Sequence, residues 1–134
     1  MKKYDITVIT NDTEWQRAFA AAIKDHSDLY IKNTYNGYDD IPHNDVPISQ
    51  IVVVDIDLAA DHEQSYNVVK ALVSSYNPKL PFVVGFGERH QKYINADSDR
   101  YGIDLYGKRH PIDESVKITI GYINAMKDSI GKKI

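Results

Sequence analysis

Two carboxylates stand at places where chemistry is common. Asp12 follows the apolar run Ile6–Thr10, and Asp55 ends Ile51-Val52-Val53-Val54, the most apolar run in the chain. If the two runs are neighbouring strands of one sheet, Asp12 and Asp55 meet at one edge, where like charges need a cation. Oxygen-only ligands of this kind suit a hydrated magnesium ion. The plainer alternative is that Asp12 caps a helix and Asp55 merely ends a strand. Other chemistry finds little support. The five histidines (His26, His43, His62, His90, His110) lack metal-ligand spacing, and no Gly-X-Ser-X-Gly elbow occurs. Gly85-Phe86-Gly87-Glu88 lacks both the glycine spacing and the Lys-Ser/Thr ending of a phosphate-binding loop.

The elements that must position these carboxylates follow from periodicity. Ile6–Thr10 reads as a strand that breaks at Asn11-Asp12-Thr13 into a helix with a Thr13/Gln16 capping box and Trp15, Ala18, Phe19, Ala22 and Ile23 at helical spacing. Leu29–Tyr35 is a second strand, followed by a polar, proline-bearing stretch through Pro47 that holds a short helix or only a loop. Ile51–Val54 has no alternation, which predicts a central strand covered on both faces. Tyr66, Val69, Leu72, Val73 and Tyr76 predict a helix ending at Asn77-Pro78. Pro81–Val84 makes a fourth strand, Glu88–Asn95 a short polar helix and Ile103–Tyr106 a fifth strand. A last helix starts near Asp113 and carries Val116, Ile120 and Ile123, with Gly121 weakening its middle. This alternation predicts one doubly wound α/β domain over residues 1–134, a five-stranded parallel sheet with helices on both faces and the first and third strands adjacent. Ligands of such sheets sit beyond the carboxyl ends of the strands where the order reverses, which is where Asn11, Asp12 and Asp55 fall.

Composition sets the outer bounds. The chain has 134 residues, of which 43% are hydrophobic and 26% charged, values of an ordinary folded domain. A net charge of −3 with scattered basic residues offers no stripe for nucleic acid. No apolar run reaches membrane-spanning length and no signal peptide is legible, so neither a membrane nor an anchor is expected. The lack of cysteine removes thiolate sites and disulfides and suits a reducing cytoplasm.

Over essentially its whole length the sequence resembles the receiver domains of two-component response regulators, whose fold is flavodoxin-like. Ile51-Val52-Val53-Val54-Asp55-Ile56-Asp57-Leu58 is similar to their phosphoacceptor strand, which puts Asp55 in the phosphoacceptor place. Asn11-Asp12 falls where receivers carry an acidic pair. The resemblance implies a magnesium ion held by Asp12, Asp55 and the backbone carbonyl of Asp57. Gly102-Ile103-Asp104-Leu105-Tyr106 resembles the segment that ends in the family's switch aromatic, here Tyr106. The implied partners are a histidine kinase or small phosphodonor, and a fused output domain or separate protein. A second copy is also implied, through a face on which Tyr93, Tyr101 or Tyr122 could anchor.

Departures from the pattern are as informative. Asn11 replaces one acid of the pair. Val84-Gly85-Phe86-Gly87 has no hydroxyl where receivers bond a phosphoryl oxygen, and Phe86 could plug that place. The family's Lys-Pro is replaced by Lys108-Arg109-His110-Pro111, in which Arg109 or His110 takes the lysine position according to the direction of counting, with Lys108 nearby. Arginine is not equivalent to lysine at a fitted site. These changes imply an atypical receiver in which Asp55 accepts phosphate slowly, acting as a phosphorylation-dependent or phosphorylation-independent interaction switch and not as an enzyme. Asp55-Ile56-Asp57 also matches the opening motif of haloacid-dehalogenase-like phosphatases, the enzymatic alternative with Asp55 as nucleophile.

Overall fold

The computed structural model describes residues 3–37, 40, 49–55, 57, 82–87 and 105–127. Five strands, β1 (Tyr4–Ile9), β2 (Leu29–Tyr35), β3 (Ile51–Asp55), β4 (Phe82–Phe86) and β5 (Leu105–Gly107), form one sheet in the order β2-β1-β3-β4-β5. Every pairing is parallel. The expected doubly wound α/β sheet is therefore present, with the first and third strands adjacent. Strand order reverses between β1 and β3, so the crevice beyond their carboxyl ends lies at the switch point.

Burial follows from strand position. Ile51, Val52, Val53 and Val54 are all fully buried, as a central strand covered on both faces must be. Edge strand β2 instead alternates between buried or half-buried residues and exposed ones, because one of its faces meets little of the core. Register is pinned at the start of β3 by a reciprocal clasp, in which the Gln50 N–H donates to Asp5 Oδ1 (2.7 Å) and the Asp5 N–H donates to Gln50 Oε1 (3.3 Å). Buried Thr7 and Ser49 share a hydroxyl hydrogen bond of 2.5 Å beside it. Ile6 then pairs with Ile51 and Ile9 with Val54, which sets Thr10 level with Asp55.

Two helices, α1 (Thr13–Ile23) and α2 (Ile112–Met126), pack against one another and onto a single face of the sheet. That face is built from Ile6, Val8, Ile51, Val53, Phe82, Val84 and Phe86, which join Trp15, Phe19 and Ile23 of α1 and Val116, Ile120 and Ile123 of α2 in one core. The anticipated capping box is replaced by a different cap. Asp12 has extended backbone, its carbonyl accepts from the Gln16 N–H (3.0 Å) and its Oδ1 accepts from the Trp15 N–H (3.1 Å). Thr13 is thereby already helical, and Gln16 uses its amide to reach the Thr10 carbonyl and Asn36 Oδ1. The strands at Phe82–Phe86 and Leu105–Gly107 end two residues and one residue later than periodicity predicts, and the first begins and ends earlier, at Tyr4 and Ile9. The helices expected over Tyr66–Tyr76 and Glu88–Asn95, and most of the polar stretch after Gly37, lie outside the described residues. Among the described residues no helix is long and apolar enough to cross a membrane.

Two measurements probe this framework. Gly121 sits mid-helix, exposed, and a Cβ built on it meets no atom within 4 Å. Gly121→Ala should therefore raise stability by about 0.5–1 kcal/mol in urea denaturation, since alanine loses less backbone entropy and nothing is displaced. A loss of stability would show that the packing around α2 is misassigned. Lys127 at the carboxyl end of α2 donates to Asp28 Oδ2, tying the helix to the approach to β2. This hydrogen bond holds the Asp28 carboxyl below its usual range. A depressed folded-state value means stability that is present above the ordinary carboxylate range and is lost as pH falls through the folded value. Melts of the wild type and Asp28→Asn should therefore differ at neutral pH and converge in acid, and a constant difference would rule the linkage out.

Candidate functional site

The site is assembled from the ends of β1, β3 and β5. Parity along the strands sends Thr10, Asp55 and Phe86 to the same face, the one that α1 and α2 cover, and Asp55 stands opposite Phe86 in the β3–β4 register. Asp55 is fully buried. Thr10 Oγ1 donates to its Oδ2 at 2.7 Å, and the Asp57 N–H donates to its Oδ1 at 2.9 Å. Thr10 Oγ1 also accepts from the Asp12 N–H at 3.1 Å, which ties the β1–α1 turn to the same point.

Past the end of β5 the chain delivers Arg109 into this crevice, with its side chain only 14% exposed. Each of its three guanidinium nitrogens meets a different carboxylate. Nη1 lies 2.9 Å from Asp12 Oδ2, Nη2 pairs with Asp55 Oδ2, and Nε lies 3.2 Å from Asp57 Oδ2. A planar group with donors in fixed directions can meet three carboxylates in this way, whereas an ammonium acts as a point charge. Burial alone would lower the Arg109 pKa, but hydrogen bonding and attraction from Asp55, followed by Asp57, outweigh it and hold the guanidinium more firmly charged than in water. Asp12 serves two groups at once, capping α1 through Oδ1 and meeting Arg109 through Oδ2.

Aromatic rings form the adjoining wall. Trp15, in the first turn of α1, stacks on Phe86 with ring centroids 4.0 Å apart and planes within 6°, and Phe19 stacks on Trp15 at 5.0 Å. The indole N–H of Trp15 donates to buried Ser115 Oγ in α2 at 2.9 Å. The Arg109 guanidinium carbon lies 5.5 Å from the Phe86 ring centre, within cation–π range. Phe86 is thus a fully buried member of the core that also supports the arginine.

The residues singled out from sequence are distributed unevenly around this centre. Asp12, Asp55, Asp57, Phe86 and Arg109 are brought together, whereas Asn11, Lys108 and His110 are exposed. The choice between Arg109 and His110 for the inward-facing cation falls to Arg109. Tyr106 lies on β5 opposite Gly85. Tyr122 packs half-buried against the core, and Tyr93 and Tyr101 lie outside the described residues. Thr10, Trp15 and Ser115 were not expected at the site. Thr10 carried one signal, a polar β-branched residue ending an apolar strand two positions before Asp12.

Magnesium was expected between Asp12, Asp55 and the Asp57 carbonyl. Among the described residues no group of three or more acidic or histidine side chains is arranged to hold a metal ion. The Asp12 and Asp55 oxygens that would face one are each turned to a guanidinium N–H, so the donor set as it stands does not fit a divalent cation.

No family model matches the sequence, and no curated protein does. Solved structures do match over nearly the whole chain. The receiver domain of the response regulator TorR of the TMAO respiratory system aligns with a TM-score of 0.72 at 11% identity, covering 95% of this chain and 98% of that one. A two-component response regulator from Clostridium difficile aligns at 0.72 and 14% identity, covering 96% and 99%. The Thermotoga maritima regulator DrrB, an OmpR/PhoB homologue, aligns at 0.70 and 15% identity over 98% of this chain. This chain spans only 54% of DrrB. The sheet order, the crevice at the reversal point and these alignments agree that the chain has the response-regulator receiver fold.

Proposed function

We propose that this chain is a signal-transduction domain that acts by docking other proteins, as receivers of two-component systems do, with Asp55 held in a fixed ion pair and not readily phosphorylated. The observation that carries this reading is the engagement of the fully buried Asp55 by Thr10, the Asp57 N–H and Arg109. Phosphoryl transfer to a carboxylate needs an exposed oxygen lone pair in line with the leaving group, and it is catalysed chiefly by position and charge neutralisation. Here an incoming phosphoryl group from a histidine kinase or small phosphodonor meets an oxygen already occupied by a guanidinium and a hydroxyl. It would also bring negative charge beside Asp12 and Asp57. The exposed Asn11 supplies no charge to a metal, and Gly85-Phe86-Gly87 supplies no hydroxyl to the phosphoryl oxygens.

Signalling through contacts requires only that the fold present its surfaces, which suits a separate partner protein or a fused output domain. Nothing on the described residues favours the phosphatase alternative. Its nucleophile, Asp55, has no exposure, and its second aspartate, Asp57, is committed to Arg109.

Loss of two charge-assisted hydrogen bonds, at roughly 1.5–3 kcal/mol each, slows transfer by about two to four orders of magnitude relative to a working receiver if they act in the transition state. Incubation with magnesium and acetyl phosphate, followed by intact mass measurement, should show at most slow, partial addition of one phosphoryl group. Rapid, stoichiometric labelling that disappears in Asp55→Asn would overturn the reading.

A further inference from the structure

We infer that Arg109 supplies, from within the chain, the positive charge that a divalent cation would otherwise bring to this acidic crevice, so that the domain holds its Asp12, Asp55 and Asp57 carboxylates together without a metal. Three observations converge on it. The guanidinium meets all three carboxylates, one with each nitrogen. Asp55 has no exposure, so neither bulk water nor mobile salt neutralises it, and its counter-charge has to be built in. The guanidinium is also held by its position beside Phe86, which Trp15 and Ser115 anchor in turn, so it is seated in the core and not a loose surface side chain. A divalent ion entering the crevice would meet a like charge already in place.

The inference rests on the receiver-type reading of the site, but its test does not pass through phosphorylation. A failed labelling prediction would sink that reading, whereas a failed metal response would sink this one. The experiment is thermal unfolding of the whole chain, followed by fluorescence of Trp15, its only tryptophan, in chelator and in millimolar magnesium or manganese chloride. The wild type should melt within about 1 °C of the same temperature in both, because a ligand that does not bind the native state cannot raise it. Arg109→Met should melt lower by roughly 10 °C or more in chelator, as expected when one partner of a buried ion pair is removed. Divalent ion should return part of that loss. Adding Asp55→Asn should restore the melting temperature in chelator and abolish the metal response, which separates lost charge from lost packing.

A wild type that gains several degrees in a saturating manner with either metal overturns the inference. An Arg109→Met protein as stable as the wild type, or destabilised equally with and without metal, overturns it too. Should Arg109→Met fail to fold in chelator, the double variant decides: a folded Asp55→Asn/Arg109→Met protein supports the charge role, and an unfolded one refutes it.

Discussion

A carboxylate with no solvent exposure is an expensive group, and the arrangement around Asp55 follows from that cost. Removing an ionised carboxylate from water costs several kcal/mol even after relaxation, and only a close counter-charge with the remaining lone pairs satisfied offsets it. Thr10, the Asp57 N–H and Arg109 meet those requirements from three different segments. The β1–α1 turn, the end of β3 and the β5–α2 turn are consequently joined at one point by electrostatics, as their strands are already joined by the ladder. Deleting Arg109 takes counter-charge from the buried carboxylate and deleting Thr10 takes away one of its donors, so the three segments depend on one another at this point.

The aromatic wall translates this local constraint into the packing of the helices. Phe86 reaches the crevice because the β3–β4 register places it beside Asp55, and Trp15 reaches Phe86 because Asp12 starts α1 at Thr13. Trp15 then bonds Ser115, which fixes the height of α2 relative to α1. A chain of contacts thus runs from the guanidinium through two stacked rings to a helix–helix interface. Such a chain gives the acidic crevice a physical route to α1 and α2. The cation at the crevice end of that route is a side chain of the same polypeptide, Arg109.

Arginine suits this role for reasons of shape as much as charge. Lysine would carry the same charge to one point, whereas the carboxylates of the β1–α1 turn and of the end of β3 are met here by donors held in fixed, diverging directions. The flat face of the group also fits against an aromatic ring, and Phe86 lies beside it. The ring and the guanidinium are therefore matched parts of one site, a crevice that holds a cation among three carboxylates.

Much of the fold was legible in the residues themselves. The unbroken apolar run Ile51–Val54 could only be a strand covered on both faces, the spacing of Trp15, Phe19 and Ile23 could only serve one buried helix face, and the alternation of strand and helix implied a parallel sheet whose reversal point gathers Asp12 and Asp55. These features are local or follow from chain handedness, so periodicity carries them. The sequence also marked Arg109 as a departure, but left it tied with His110, because counting residues through a turn does not tell which side chain faces inward. That choice was made by tertiary structure, which set the height of β5 against β4 and brought Arg109 to carboxylates 97, 54 and 52 positions away in the chain. The stack of Trp15 on Phe86 and the bond of Trp15 to Ser115 were settled in the same way. Each depends on the relative placement of elements far apart in sequence, where the energy of burying a charge or a ring decides among conformations that local propensity leaves equal.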